Sequence, residues 1–210
     1  MRTHLVQGVC CNNPSKREQI YSEELQGIAK RHFKRLKGGP KSNNLGFKTE
    51  KNKGNAYDTL IRAWTRFWNG VFKSGDPLDP DLVKALVASE SGFNPVKVIK
   101  VGSRRGSAHG LMQITDETQR VLGDKNGELK DYLVHVDQQD LTDANLNIAA
   151  GVRWLFYKKK LARQRLKREA TWDESVAEYK GVLGALVKSP NKVPRDMRPF
   201  RKYYGLLKKK

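Results

Sequence analysis

The sequence predicts a mainly α-helical domain flanked by basic segments at both ends, and three observations carry that prediction. From residue 57 onward apolar residues recur at three-to-four spacing. Helix-start and helix-stop residues bracket these stretches. No clean period-2 pattern occurs, and the one strand candidate lies around residues 96–101.

Taken in order, Ser15-Lys16-Arg17-Glu18 fits a capping box and opens a helix with Ile20, Leu25, Ile28 and Leu36 on one side. Its other faces carry Lys30, Arg31, Lys34, Arg35 and Lys37, and Gly38-Gly39-Pro40 stops it. Residues 41–55, rich in Asn, Gly and Lys, read as a linker or long loop, so a boundary falls near residue 55. This divides the chain into a basic N-terminal helical segment and linker, 1–55, and a helical domain with a basic C-terminal tail, 56–210.

Leu60, Ile61, Trp64, Phe67, Trp68 and Val71 then form the apolar stripe of a core helix. Asp79-Pro80-Asp81 supplies an N-cap, a proline at the first helical position and an acid in the first turn. That helix runs to Ser91, where Gly92 fits a left-handed C-terminal cap. Thr115-Asp116-Glu117 opens a short helix ending at Gly123, and Thr142-Asp143 opens a long one through Ile148, Val152 and Leu155. Thr171-Trp172-Asp173-Glu174 is a second capping box, leading into Val176, Tyr179, Leu183 and Leu186.

The net charge of +19 is unevenly spread. Residues 1–55 hold 12 Lys/Arg against 4 acids and residues 188–210 hold 9 against 1, while residues 56–187 are nearly balanced at 20 against 17. Such basic ends attract dense polyanions: nucleic acid, anionic lipid, or an anionic bacterial wall. The run from Tyr157 to Arg168 adds seven basic residues on a helix extension, for which a solvated face is the plain explanation. Contacts with an anionic wall or membrane surface come next; nucleic acid ranks last, because no zinc-finger or RNP-type motif is present.

The two cysteines, Cys10 and Cys11, are adjacent and offer neither a disulfide framework nor a zinc site. No metal or cofactor is expected. No apolar run approaches the roughly 18 residues of a membrane span. The first residues lack the apolar stretch of a secretory signal, so work outside the cytoplasm is expected to need a non-standard route such as phage lysis or specialised secretion.

Chemistry concentrates at Glu90. It follows Val87 by three residues, Leu86 by four and Val83 by seven, which aligns its carboxyl with an apolar helix stripe. Desolvation there favours the neutral acid, as a general acid requires.

The flanking residues carry a resemblance. Ala88-Ser89-Glu90-Ser91-Gly92-Phe93-Asn94-Pro95 resembles the catalytic motif of the soluble lytic transglycosylases, relatives of goose-type lysozyme. Ser107-Ala108-His109-Gly110-Leu111-Met112-Gln113-Ile114-Thr115 is similar to the family's Ser-x-x-Gly-Leu-Met-Gln block. Asn147-Ile148-Ala149-Ala150-Gly151 with Trp154-Leu155 resembles its Asn-Ile-x-x-Gly helix, and Ala177-Glu178-Tyr179 its Ala-x-Tyr. The four blocks cover roughly residues 56–187.

The resemblance implies a lysozyme-like, mainly α fold and a lytic transglycosylase acting on peptidoglycan glycan strands. Glu90 would protonate the leaving oxygen between N-acetylmuramic acid and N-acetylglucosamine. The muramoyl C6 hydroxyl would attack, Glu90 taking its proton, to leave a 1,6-anhydro sugar. One carboxylate then suffices where most glycosidases use two. Ser107, Gly110, Met112, Gln113, Asn147 and Tyr179 would bind substrate: Ser107 near an N-acetyl group, Met112 and Gln113 along the cleft, Asn147 pointing into a groove opened by Gly151, and Tyr179 near Glu90. Packing roles compete for several of these, Met112 above all.

Lys180 stands where the family has Asn, placing a cation near the acid. His109 falls at a variable position and takes no role. Asp116, Asp137 and Asp140 are candidate second carboxylates for a hydrolytic muramidase on the same fold. A degenerate, non-cleaving wall-binding domain is the third reading.

Overall fold

The computed structural model describes residues 18–33, 39–49, 52–73 and 75–209. Cys10, Cys11, the Ser15–Arg17 part of the first capping box and Leu36 lie outside the described residues.

The first described residues depart from the helical reading. Gln19–Tyr21 forms a strand, β1, paired in parallel with Leu133–His135, and helix α1 begins only at Ser22, running to His32. Ile20 is buried in the strand rather than on a helix face, because pairing with a segment more than a hundred residues away overrides its local pattern. Glu24 accepts the Tyr21 N–H at 2.9 Å, so the capping acid lies six residues beyond the one the sequence suggested. Leu25, Ile28 and Phe33 are buried in the same core as the following helices, so these residues pack with the domain on the other side of the charge boundary.

After a short hairpin of β2 (Lys48–Thr49) and β3 (Asn52–Lys53), α2 (Asp58–Phe72) and α3 (Pro80–Ser91) follow. Trp64 and Trp68 on α2 are fully buried. Their indole N–H groups donate to the Asn145 side chain at 2.8 Å and to the Ala149 carbonyl at 3.0 Å. Satisfying the indole N–H is what permits such burial.

A three-stranded antiparallel sheet comes next: β4 (Val98–Gly102), β5 (Gly106–His109) and β6 (Ile114–Thr115), in that spatial order. The sequence reading found only the first strand. The other two are too short and too rich in Gly, Ser and Ala to show period-2 hydrophobicity. Thr115 leaves the sheet and caps α4 (Asp116–Gly123), and Leu133–His135 is strand β7.

Helix α5 (Ala144–Leu166) is the centre of the domain, buried almost continuously from Leu146 to Tyr157. α6 (Trp172–Tyr179), α7 (Leu183–Lys188) and α8 (Met197–Lys208) complete the fold. α6 carries the capping box read from sequence, with Thr171 and Glu174 exchanging hydrogen bonds. α8 packs along α3 and buries Met197, Phe200 and Leu207, so the basic C-terminal residues ride on a helix with an apolar face.

Most of the positive charge in the run from Tyr157 to Arg168 is paired within the chain. Arg163, Arg165 and Arg168 pair with Glu169, Glu178 and Glu174, and Lys159 with Asp76. Lys158 lies over the Trp154 ring. Of the seven cations in that run, Lys160 and Lys167 are left without a partner among the described residues.

Lys84 is wholly buried on α3. Its ammonium donates to the Lys41 carbonyl at 2.9 Å and the Asn55 side chain at 2.8 Å, and reaches Asp58 at 2.7 Å. Burial pushes the Lys84 value down and the Asp58 value up, and each group opposes that shift in its partner. Three donors and three acceptors tie residues 41–58 to α3. Lys84→Met is expected to cost about 3 kcal/mol by leaving Asp58 unpaired. In urea unfolding, Lys84→Met with Asp58→Asn should recover part of that loss.

Candidate active site

The site starts from the way α3 ends. Asp79 caps its first turn, accepting the Asp81 N–H at 2.9 Å, and Val83, Leu86 and Val87 bury the stripe that aims the last turn. Gly92 takes the left-handed conformation at φ 61°, as expected, and Phe93 follows it at φ 63°. A left-handed Phe is costly. Complete burial of its ring, packed on Phe47 and Tyr57, holds it there. A Cβ on Gly92 would lie 3.0 Å from the Phe47 ring, so the turn needs glycine for space as well as for φ.

Glu90 is therefore fixed in the last turn, with its side chain 18% exposed. Two lysines grip it. Lys97 Nζ donates to its backbone carbonyl at 2.7 Å, where a helix end offers unpaired acceptors and negative potential. Lys180 Nζ lies 2.6 Å from Oε1, with a side chain only 7% exposed. The sequence placed Glu90 on an apolar stripe; the structure ends that stripe at Val87 and gives the carboxylate a buried cation. Tyr179 precedes Lys180 and donates its hydroxyl to the Met112 carbonyl at 2.7 Å. Burial first, and then the Glu90 charge, push its phenol value well up.

Glu90 opens into a cavity of about 410 Å³. One row of the sheet forms part of its lining. Ile99, Ala108 and Thr115 are cross-strand neighbours, and all three line it, together with Val101 two residues along β4. Gln113, Tyr179 and Lys180 contribute, and α8 and the residues before it add Arg195, Asp196 and Pro199. A second cavity of about 370 Å³ shares Arg105, Gln113, Thr115 and Tyr179 with the first and reaches Trp154, Tyr157 and Lys158. The shared lining makes the two cavities one groove.

Of the residues singled out from sequence, Glu90, Gln113 and Tyr179 meet in this groove. Asn147, Met112 and Gly110 lie beneath it. Asn147 is fully buried and points at backbone, not at the groove. Its Nδ2 donates to the His109 and Leu141 carbonyls at 2.9 Å each, and its Oδ1 accepts the Met112 N–H at 2.8 Å. Met112 is likewise fully buried against Gly151, the filler role that its flexible thioether suits. Gly110 has φ 71°, and a Cβ there would stand 2.3 Å from both the Asn147 amide nitrogen and the Leu141 carbonyl.

Gln113 is left-handed at φ 50°. Its Nε2 donates to the carbonyls of Gly110 at 2.9 Å and Lys97 at 3.2 Å. Ser107 sits one residue before Ala108 on β5, so strand alternation sends it to the face opposite the Glu90 cavity.

The three aspartates proposed as second carboxylates are braces. Asp116 accepts the Ser107 N–H at 2.8 Å and the Gln138 amide at 2.7 Å, and lies 2.9 Å from His109 Nε2. Hydrogen bonds from Ser107, Gln138 and His109 outweigh partial burial and hold its carboxyl below the usual range. His109, which the sequence left without a role, thus joins β5 to α4. Asp137 and Asp140 accept each other's backbone N–H groups.

Sequence reasoning missed Lys97, Arg105, Phe93 and the contribution of α8. The tandem Gly92-Phe93 before Asn94-Pro95 was a readable turn signal. Nothing in the pattern of residues 195–199 announced a groove wall.

A helical domain whose groove is built on a small sheet, with a glutamate at a helix end, is lysozyme-like. The sequence model of the Transglycosylase SLT domain matches residues 72–188, more than half of the 210-residue chain, and the chain belongs to that family. At that level its activity is of the transglycosylase type, directed at peptidoglycan and hence at the cell wall. No curated protein matches the chain. The matched segment contains Glu90, Gln113, Asn147, Tyr179 and Lys180 and ends before α8.

Gly151 gives a test of the layer under the groove. A helical Gly→Ala change ordinarily stabilises by about 1 kcal/mol. Here the new Cβ would meet Met112 at 2.4 Å from Sδ and 2.7 Å from Cβ. Gly151→Ala is expected to destabilise by about 1–3 kcal/mol in urea unfolding.

Proposed function

We propose that the chain cleaves the β-1,4 bond between N-acetylmuramic acid and N-acetylglucosamine and leaves a 1,6-anhydro-muramoyl end, with Glu90 acting first as acid and then as base. The observation that carries this reading is the setting of Glu90: a carboxylate fixed at a helix end, paired with Lys180 and lining the cavity, while Asp116, Asp137 and Asp140 are committed to backbone and side-chain braces.

The proton passes from Glu90 to the leaving glycosidic oxygen as the C1–O bond breaks. Lys180, 2.6 Å away, balances the charge of the carboxylate left behind. The muramoyl O6 then bonds to C1, and Glu90 recovers a proton from that hydroxyl. No water is consumed, so a second carboxylate to activate one is unnecessary. With both Nε2 hydrogens of Gln113 spent on carbonyls, its Oε1 is the atom available to a substrate N–H or O–H. Tyr179 lines both cavities and, through its bond to Met112, holds the segment that carries Gln113. Asn147, Gly110 and Met112 act by positioning that segment, and Ser107 by anchoring β5 to Asp116.

The basic segments extend this proposal to an anionic wall or membrane surface. On the C-terminal side, Arg198 and Lys202 of α8 have no acid partner among the described residues and are free to make such contacts.

One observation favours hydrolysis. Asp196 lines the Glu90 cavity and could take the water-activating role that the other aspartates do not.

Two variants test these readings by mass spectrometry of digested sacculi. Glu90→Gln should lower turnover by a factor of about 10² or more while leaving wall binding intact. Equal activity of variant and wild type would reject Glu90 as the acid. Asp196→Asn should still yield anhydro-muramoyl ends, whereas wild-type products with ordinary reducing ends that vanish in this variant would establish the muramidase reading instead.

A further inference from the structure

Two guanidinium groups at the groove have no assigned task. Arg105 lies in the turn between β4 and β5, and Arg195 stands two residues before α8; both are exposed, and both line the cavity that holds Glu90. Neither side chain has an acid partner among the described residues. Elsewhere Arg163, Arg165, Arg168 and Arg201 are each tied to a carboxylate. The third cation of this cavity, Lys180, is taken by Glu90. Apart from Glu90, the only acid in the lining is Asp196.

The two arginines come from parts of the chain ninety residues apart, and Arg195 lies beyond the segment shared with the family. The rest of the lining suits a neutral sugar: Ile99, Val101, Ala108 and Pro199 are apolar, and Gln113 and Thr115 are uncharged. Unneutralised guanidinium groups beside such a surface discriminate by charge. Their planar forks match carboxylates in bidentate geometry and are weakly hydrated, so they give up water readily to an anionic partner.

We infer that Arg105 and Arg195 form a carboxylate subsite for the peptide stem carried by the glycan next to the bond that is cut, which makes stem-bearing strands the preferred substrate. The inference rests on the cleavage reading given above. A muramoyl lactyl group also presents a carboxylate once its stem is removed, and the two sources have to be separated.

Intact strands with stems and strands stripped by an amidase, which retain only the lactyl carboxylate, serve as paired substrates for the full-length protein. Wild type should show a kcat/KM at least about tenfold higher on stem-bearing strands, the scale of one or two charge-assisted hydrogen bonds. In Arg105→Gln/Arg195→Gln that ratio should fall towards one through a rise in KM on stem-bearing strands, and the double Lys variant should restore part of it. A wild-type ratio near one, or a ratio unchanged in the double Gln variant, overturns the subsite while leaving cleavage in place. Failure of wild type to cleave either substrate removes the cleavage reading, and the subsite with it.

Discussion

One buried carboxamide organises the floor of the groove. Asn147 offers two N–H groups and one carbonyl oxygen, and all three are met by main-chain groups of His109, Leu141 and Met112. Because the side chain is out of contact with water, any movement of the segment 109–112 would leave buried polar groups unpaired, at a cost of about 1–3 kcal/mol each. The crowding of Gly110 and Gly151 follows from this, since the backbone must come close enough for a short side chain to reach. Gln113 and the Tyr179 hydroxyl take their positions from a strand end held in this way.

A different set of forces fixes the acid. α3 is capped by Asp79 at one end and turned by Gly92 and Phe93 at the other, and Lys84 fastens its middle to residues 41–58. Lys97 and Lys180 then hold the backbone and side chain of Glu90 separately. The two cations do different work. One completes a helix terminus by taking the backbone carbonyl, and the other neutralises the carboxylate that lines the cavity.

Helix boundaries on α3, α4, α5 and α6 were legible because their caps are local: Asp79, Thr115, Asp143 and Thr171 each bond within three residues. What escaped was non-local. Gln19–Tyr21 is a strand only because Leu133–His135 lies beside it, and β5 is defined by its register with β4 and β6 by its register with β5. At the site, motif matching found the right blocks but could not distinguish a residue on the groove from one beneath it. Glu90 and Gln113 face the cavity, whereas Asn147 and Met112, equally prominent in the motif, support it from below. Side-chain direction decides this, and direction depends on φ at Gly110 and Gln113 and on the alternation that turns Ser107 away. The aspartates were ambiguous for the same reason, because an acid that braces a loop and one that serves a reaction are written alike in sequence.

α8 packs along α3 and links the cap of that helix to the groove. Near its C-terminus Tyr204 and Lys208 bond to Asp79, the cap of α3, and before its N-terminus Arg195 and Asp196, with Pro199 in its first turn, line the cavity into which Glu90 opens. The two helices thus behave as a splint and the limb it holds. The groove wall supplied by the start of α8 is thereby tied down at the opposite end of the helix, by a tyrosine hydroxyl and a lysine that both reach Asp79.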